Sequence, residues 1–438
     1  MVFIFPWANT RMIERLGHFF LFGICAFLCL PLSVSATELF FQSDTLFHFF
    51  QRDTNTEVDA SVAPIYQYLQ FDIGNPNVPG LAFHLNAWGR WDIADNGYYS
   101  DPTDGELLYS YLEYRGKQAQ FNTRVGRQHV FEGVTNDAVD GLRLSSDLGR
   151  YFSGSVYAGQ PVALDDDQGR SGDIIYGGRL AHHLPSLYDL GISYKMIRNN
   201  SNDVEEMTGI DLSAYLPYGI NLLGNSAYNF ATNDWAEHSY DLDFSIGPVL
   251  LRPYYQKFKY EDYFGTSAKL VNPFSFLADT GEELQVEGTD LTLHAGKSMT
   301  FTVKAKNYNY KVLDDTSQFA AVQATWAGKD RTQIGGEFGC MNGNAAQNEY
   351  YLVRLYSYWD QMPENLPLSF ISSDLIYVGY DKEIYGEDRS LFISLGIGRK
   401  FLQEALEVKL SGDFSQDPYF NESLRGMLTA SYWFDKKL

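Results

Sequence analysis

The chain has 438 residues, 45% of them hydrophobic and 16% aromatic, with 31 Tyr and 31 Phe, yet its mean hydropathy is only -0.26. Its formal net charge of -22 excludes nucleic acid and acidic surfaces as partners. So many rings in so polar a chain fit a sheet with one face in lipid and one in water, and the length suits one large closed sheet as well as it suits two or three soluble domains.

At the start, Arg11 and Arg15 precede the apolar stretch Phe19 to Leu32, which ends in Ser33-Val34-Ser35-Ala36. This order predicts a secretory signal peptide over residues 1–36, cut after Ala36. Its core is shorter than the roughly 20 residues of a spanning helix. Met12 is an alternative start, and neither Cys25 nor Cys29 has a lipoprotein context. Residues 37–438 then keep only Cys340, which excludes an intramolecular disulfide and a thiolate metal cluster. With no Cys-x-x-Cys-His, no covalent c-type haem is expected, and no cofactor is.

No apolar run after Ala36 is long enough for a membrane helix. Instead, segments of nine to thirteen residues alternate with period two, the length of a tilted membrane-crossing strand. The first pair, Thr45 to Gln51 and Ile65 to Ile73, is the weakest. Leu81 to Asp92 is the clearest: Leu81, Phe83, Leu85, Ala87, Gly89 and Trp91 oppose Ala82, His84, Asn86, Trp88, Arg90 and Asp92. Tyr240, Leu242, Phe244 and Ile246 oppose Ser239, Asp241, Asp243 and Ser245. Leu406, Val408, Leu410 and Gly412 oppose Glu407, Lys409, Ser411 and Asp413. Aromatic groups at strand ends (Tyr98-Tyr99, Tyr260 with Tyr263-Phe264, Tyr356 with Tyr358-Trp359, Tyr432-Trp433-Phe434) are expected to form interfacial girdles.

Links after even-numbered strands are short, as at 116–118, 217–218, 247–248, 297–298 and 328–330. Those after odd-numbered strands are mostly longer, as at Asp95 to Gly105, Pro161 to Gly172 and Ser415 to Arg425, with the longest from Glu261 to Gln285. The expectation is an all-β fold: a single large antiparallel transmembrane β-barrel of about 20–22 strands over residues 37–438, both termini periplasmic. About eight residues separate Ala36 from Thr45, too few for a plug domain.

In the last segment Leu428, Ala430, Tyr432 and Phe434 alternate with Thr429, Ser431 and Trp433. Here the chain resembles bacterial outer-membrane porins, although the tail Asp435-Lys436-Lys437-Leu438 extends past the closing aromatic. The resemblance implies an outer-membrane location among lipid and lipopolysaccharide, and recognition of the last strand by the barrel-assembly machinery.

Candidate pore-lining residues fall on the polar strand faces: Arg90, Asp92, Arg124, Arg143, Arg179, Asp211, Asp241, Asp243, Glu337 and Arg354, with Arg115 and Glu113 beside them. Opposed basic and acidic walls would orient and select solutes; the alternative is a set of ion pairs that hold a solvated wall together. Arg124-Val125-Gly126-Arg127-Gln128 is similar to a Gly-Arg-Gln element of some substrate-specific porins, with Arg127 on the lipid parity unless a bulge intervenes. Leu164 to Gly169 reads as a divalent-cation loop or as an acidic outer loop facing lipopolysaccharide. Adjacent His182 and His183 point to opposite faces and cannot share a site; His84 and His294 point inward. Without Gly-x-Ser-x-Gly, His-Glu-x-x-His or a phosphate loop, no enzyme is expected.

Two functions stay open. One is a channel for small hydrophilic solutes or ions, narrowed by the Glu261 to Gln285 loop, as a monomer or a homo-oligomer. The other is a sheath around a periplasmic multihaem cytochrome, as in porin–cytochrome conduits, which the chain is similar to only in size and missing plug.

Overall fold

The computed structural model describes residues 38–52, 60–74, 79–94, 98–117, 120–162, 173–198, 204–259, 282–328, 331–360, 362, 366–419 and 421–437. They form one antiparallel sheet of 22 strands that closes on itself. The strands are β1 (Glu38–Arg52), β2 (Ala60–Val62 and Pro64–Ile73, interrupted at Ala63), β3 (Gly80–Asp92), β4 (Thr103–Arg115), β5 (Phe121–Glu132) and β6 (Thr135–Asp147). Next come β7 (Phe152–Pro161), β8 (Ile174–Leu184), β9 (Tyr188–Arg198), β10 (Val204–Leu216), β11 (Ile220–Asn229) and β12 (Asp234–Ile246). Then β13 (Val249–Lys259), β14 (Glu283–Ala295), β15 (Met299–Tyr310), β16 (Asp315–Ala327) and β17 (Gln333–Asn342) follow. The last five are β18 (Tyr350–Asp360), β19 (Phe370–Ile384), β20 (Glu387–Phe401), β21 (Leu406–Asp417) and β22 (Asn421–Lys437).

Each strand pairs with its neighbour in sequence, and β1 pairs with β22 from Glu38↔Lys437 to Phe50↔Arg425. Closure leaves no sheet edge, which is the condition for crossing a bilayer with strands. The first pair is therefore longer than its alternation suggests. The tail Asp435 to Lys437 is the end of the closing strand, not an extension beyond it. No plug domain occurs among the described residues.

The two faces divide inside-out. Large apolar side chains of one parity are exposed, Leu395 at 60% and Val322 at 53%, while Glu113 of the other parity is exposed by 1%. A soluble sandwich would reverse this. A row of exposed Leu, Ile, Val and Phe around a closed wall is a lipid-facing band, so the barrel stands in an outer membrane with its polar face inward. Contacts between strands that are not neighbours identify that inner face: Lys195 of β9 reaches Asp137 of β6 at 3.2 Å. Leu81, Leu112, Val125, Ile192 and Leu410 are exposed, on the outward parity read from alternation.

Several expectations change. The link at Ser415 to Arg425 is almost entirely strand, because β21 runs to Asp417 and β22 starts at Asn421. On the rim meant to carry long loops, residues 133–134 and 385–386 are two-residue turns, while on the other rim β18 ends at Asp360 and β19 begins only at Phe370. The girdle assignment also fails for Tyr99, whose hydroxyl meets that of inward Tyr66 at 3.0 Å. It fails for Tyr356, which bonds Gln323 and Thr325 on the inner face. For Tyr356, on β18, parity and not aromatic character decides where the ring points. Tyr260, Tyr263, Phe264, Leu164 to Gly169, residues 1–36 and 261–281 lie outside the described residues.

Candidate functional site

The inner face is built from ion clusters spanning adjacent strands. Glu113 on β4 accepts from Arg124 on β5 at 3.0 Å and from Arg115 at 3.1 Å, and lies 3.2 Å from His84 on β3. His84 also lies 2.6 Å from Asp72 on β2. Arg124 and Arg143 are direct cross-strand partners, and two like charges there would repel. Each instead holds its own carboxylate: Glu113 for Arg124, and Glu132 for Arg143, whose Nε donates at 2.7 Å.

Three clusters among the described residues have more carboxylates than cations, one of them Lys195 on β9 between Asp137 and Glu205. Arg179 on β8 serves Asp189 at 2.6 Å and Asp211 at 2.5 Å. Arg252 on β13 serves Asp241 at 2.9 Å and Asp243 at 3.7 Å. Glu337 holds Lys304 at 3.1 Å, and Arg354 holds Asp374 at 2.5 Å. Arg90 stands 3.7 Å above the Tyr99 ring and 3.4 Å from Asp104. Burial and the hydrogen bond to Tyr66 push the Tyr99 phenol well above its ordinary range. Asp92 has a backbone task. It is 2% exposed, and its carboxylate accepts the N–H of Ala63, where β2 is interrupted, and of Ala94. The partners Glu132, Asp189, Arg252, Lys304 and Asp374 were not among the sequence candidates, because pairing between strands depends on register.

The upper β5–β6 hairpin is a second feature absent from the sequence reading. Gly126, Gly141 and Gly159 stand side by side on β5, β6 and β7. Gly126 has φ +126°, and a Cβ on Gly141 would sit 2.2 Å from the Ala158 carbonyl oxygen. Without side chains along this row, the sheet bends sharply inward. Pairing of β4 with β5 reaches no higher than Ser110↔Arg127, and the hairpin tip then lies over β7 to β12 inside the barrel. Val134 donates its N–H to Ser193 Oγ at 3.0 Å and packs on Met207, Ala227 and Ala236. Val130 and Val139 form a small core with Tyr157, Ile175 and Ile197, and Lys195 ties Asp137 to Glu205. Beside the hairpin is a polar cavity of about 210 Å³ lined by Glu132, Arg143, Arg179, Ser145, Ser153 and Ser155.

This arrangement gives the Gly-Arg-Gln element a structural role. Gly126 permits the bend, and Gln128 points inward and donates to the carbonyls of Arg124 and Gly141. Arg127 stays on the outward parity, paired with Asp140 at 2.8 Å, and donates to the Leu107 carbonyl where β5 leaves β4. The sequence signal that could have pointed to an inward hairpin is a tight turn containing Val134 on the long-loop rim, between Val130 and Val139.

His182 and His183 lie on opposite parities, against Phe152 on one side and Asp189 on the other. No group of three or more His, Cys, Asp or Glu among the described residues is arranged to hold a metal ion.

The closed wall, apolar outside and ionised inside, defines a transmembrane β-barrel of the outer-membrane type. No protein-family model and no curated protein matches the chain. Among solved structures, it is similar to Acinetobacter baumannii OccAB4, with 13% identity, TM-score 0.46, and coverage of 93% of this chain and 100% of that one. It is also similar to the P pilus usher (PapC) translocation pore, with 8% identity, TM-score 0.47, and coverage of 91% and 99%. Pseudomonas aeruginosa OpdO shows 10% identity, TM-score 0.42, and coverage of 91% and 97%. At TM-scores below 0.5 these likenesses add nothing to what the strand pairing itself defines.

Proposed function

We propose that the barrel is a channel for small hydrophilic solutes and ions, selective for cations and narrowed by the β5–β6 hairpin. The observation that carries this is the inner face. Arg179, Arg252 and Lys195 each serve two carboxylates, so these stretches of the lumen wall keep fixed negative charge after local pairing. Such charge enriches counter-cations within about a Debye length, roughly 10 Å at 0.1 M salt. The hairpin occupies interior space, which weighs against a multihaem cytochrome filling the barrel.

Reversal potential across a planar bilayer under a KCl gradient tests the selectivity. The purified barrel should prefer K⁺, the preference should fade toward about 1 M salt as screening shortens to ~3 Å, and Arg179→Ala should raise it. Preference for Cl⁻, or none at low salt, would contradict the proposal.

The same reading takes residues 1–36 as an export leader, lipopolysaccharide as the neighbour of the outer rim, and the β22 alternation as the feature recognised by the assembly machinery. Cleavage after Ala36 leaves Thr37 directly before β1, which begins at Glu38. N-terminal sequencing of the membrane-extracted protein should read Thr37 first, and a retained leader would refute the assignment.

A further inference from the structure

One sector of the inner wall is aromatic. Tyr66 and Tyr68 on β2, Trp88 on β3, and Tyr109 and Tyr111 on β4 share the inward parity with Arg90 and His84. Tyr66, Tyr68 and Trp88 form a triangle with centroid separations of 6.5, 6.3 and 6.5 Å. Lower on the wall, Tyr109 and Tyr111 are 5.8 Å apart, and Tyr111 stacks on His84 at 4.8 Å. Tyr99, in the link above, joins the upper end through its hydroxyl. The rings thus descend from the outer mouth to the cluster around Glu113, and none of the five strand rings is buried. Rings left partly exposed on a lumen wall are costly, and a merely solvated wall does not need them. Of the five, Tyr111 already carries His84 and Arg124 against its ring.

We infer that this row is a binding track for neutral saccharides, whose sugar rings stack on the aromatic faces while their hydroxyls bond the polar side chains alongside. A pyranose presents a flat C–H face and a rim of hydroxyls. The flanking groups match that rim. Asp44 is the cross-strand partner of Tyr68; Gln70 donates to Asp72 at 2.8 Å; Asn86 is the partner of Tyr109. These acceptors and donors can also exchange bonds with a passing hydroxyl. Charge disfavours the other solutes that stack on rings. Asp44 repels aromatic anions, and Asp72 and Glu113 already hold His84, Arg115 and Arg124, which leaves those cations no charge for an anion. Arg90 over Tyr99 and Arg124 over Tyr111, the latter at 5.2 Å, already occupy ring faces at both ends of the row, where an organic cation would have to displace them. A neutral, polyhydroxylated solute remains. The inference deepens the channel reading by naming its substrate class.

Two measurements separate the inference from that reading. In planar bilayers, a linear glucose hexasaccharide should lower the conductance saturably. Trp88→Ala should raise the half-blocking concentration about tenfold, with block read as a fraction of each barrel's own open conductance, which corresponds to one lost stacking contact. Tyr68→Ala serves if Trp88→Ala does not insert, with folding read from heat-dependent gel mobility. In detergent, the same sugar should shift the tryptophan fluorescence of the wild-type barrel, and the shift should be lost in Trp88→Phe. A conducting barrel indifferent to sugar, or blocked equally in wild type and variants, overturns the track and leaves the channel standing. Block by benzoate or benzyltrimethylammonium but not by sugar also overturns it. A silent barrel sinks the channel reading, and the fluorescence titration then decides the track alone.

Discussion

Single side chains in this wall carry opposite obligations to water and to one another. Glu113 is almost completely buried, and Asn122, Arg115 and Arg124 all donate to it. Removing the carboxylate strands two guanidiniums next to each other, with Arg143 as a third across the strand. Both arginines are 26% exposed, so lumen water softens the loss. Glu113→Ala should therefore cost on the order of 2 kcal/mol, below the roughly 3–5 kcal/mol of a fully buried broken pair. A lower temperature for loss of the folded band on a denaturing gel would show it. Wild-type resistance would mean that Glu113 is dispensable to the wall. Such residues were visible in the sequence as polar positions of the inward parity, because alternation alone assigns a face. Their partners were not visible. Which carboxylate meets which arginine depends on register between strands, and a bulge such as that between Asn86 and Ala87 resets it.

Among the elements, the β5–β6 hairpin departs furthest from a uniform barrel. Alternation continues through Gln128 to Glu132, so the segment reads as ordinary wall. Its turn is short because the tip ends inside the barrel and has no outer surface to cover. The clues were apolar residues on the inward parity and three glycines that line up only once the register is known. The placement makes a direct prediction. A Cβ on Gly209 would lie 2.3 Å from a methyl of Val134, so Val134→Cys with Gly209→Cys should oxidise to a disulfide in a Cys340→Ser background. Gly141→Val, which would crowd the Ala158 carbonyl, should lower the yield. If both thiols stay reactive to maleimide under oxidation, the hairpin is not where the contacts put it.

At the scale of the whole molecule, the described residues form one sheet whose apolar and ionised faces are exchanged relative to a soluble protein. Its class, its closure and the parity of its clearest strands follow from period-two alternation over membrane-crossing lengths, as Leu81 to Asp92 shows. Strand ends were less legible. Polar residues such as Ser415 and Arg425 belong to strands that extend beyond the apolar band, so composition alone misplaces the rim. The narrowing of the lumen was expected from the Glu261 to Gln285 loop. The described residues supply a different narrowing, the hairpin tip packed against β9 to β12. Its removal tests the channel most directly. Joining Arg127 to Asp140 by a short turn deletes the inward tip and leaves the lower pairing of β5 with β4, and of β6 with β7, in place. Planar-bilayer recording of the purified barrels should show an ion-conducting wild type and a severalfold larger unitary conductance after the deletion. A silent wild-type barrel, or equal conductance in the two proteins, would contradict it.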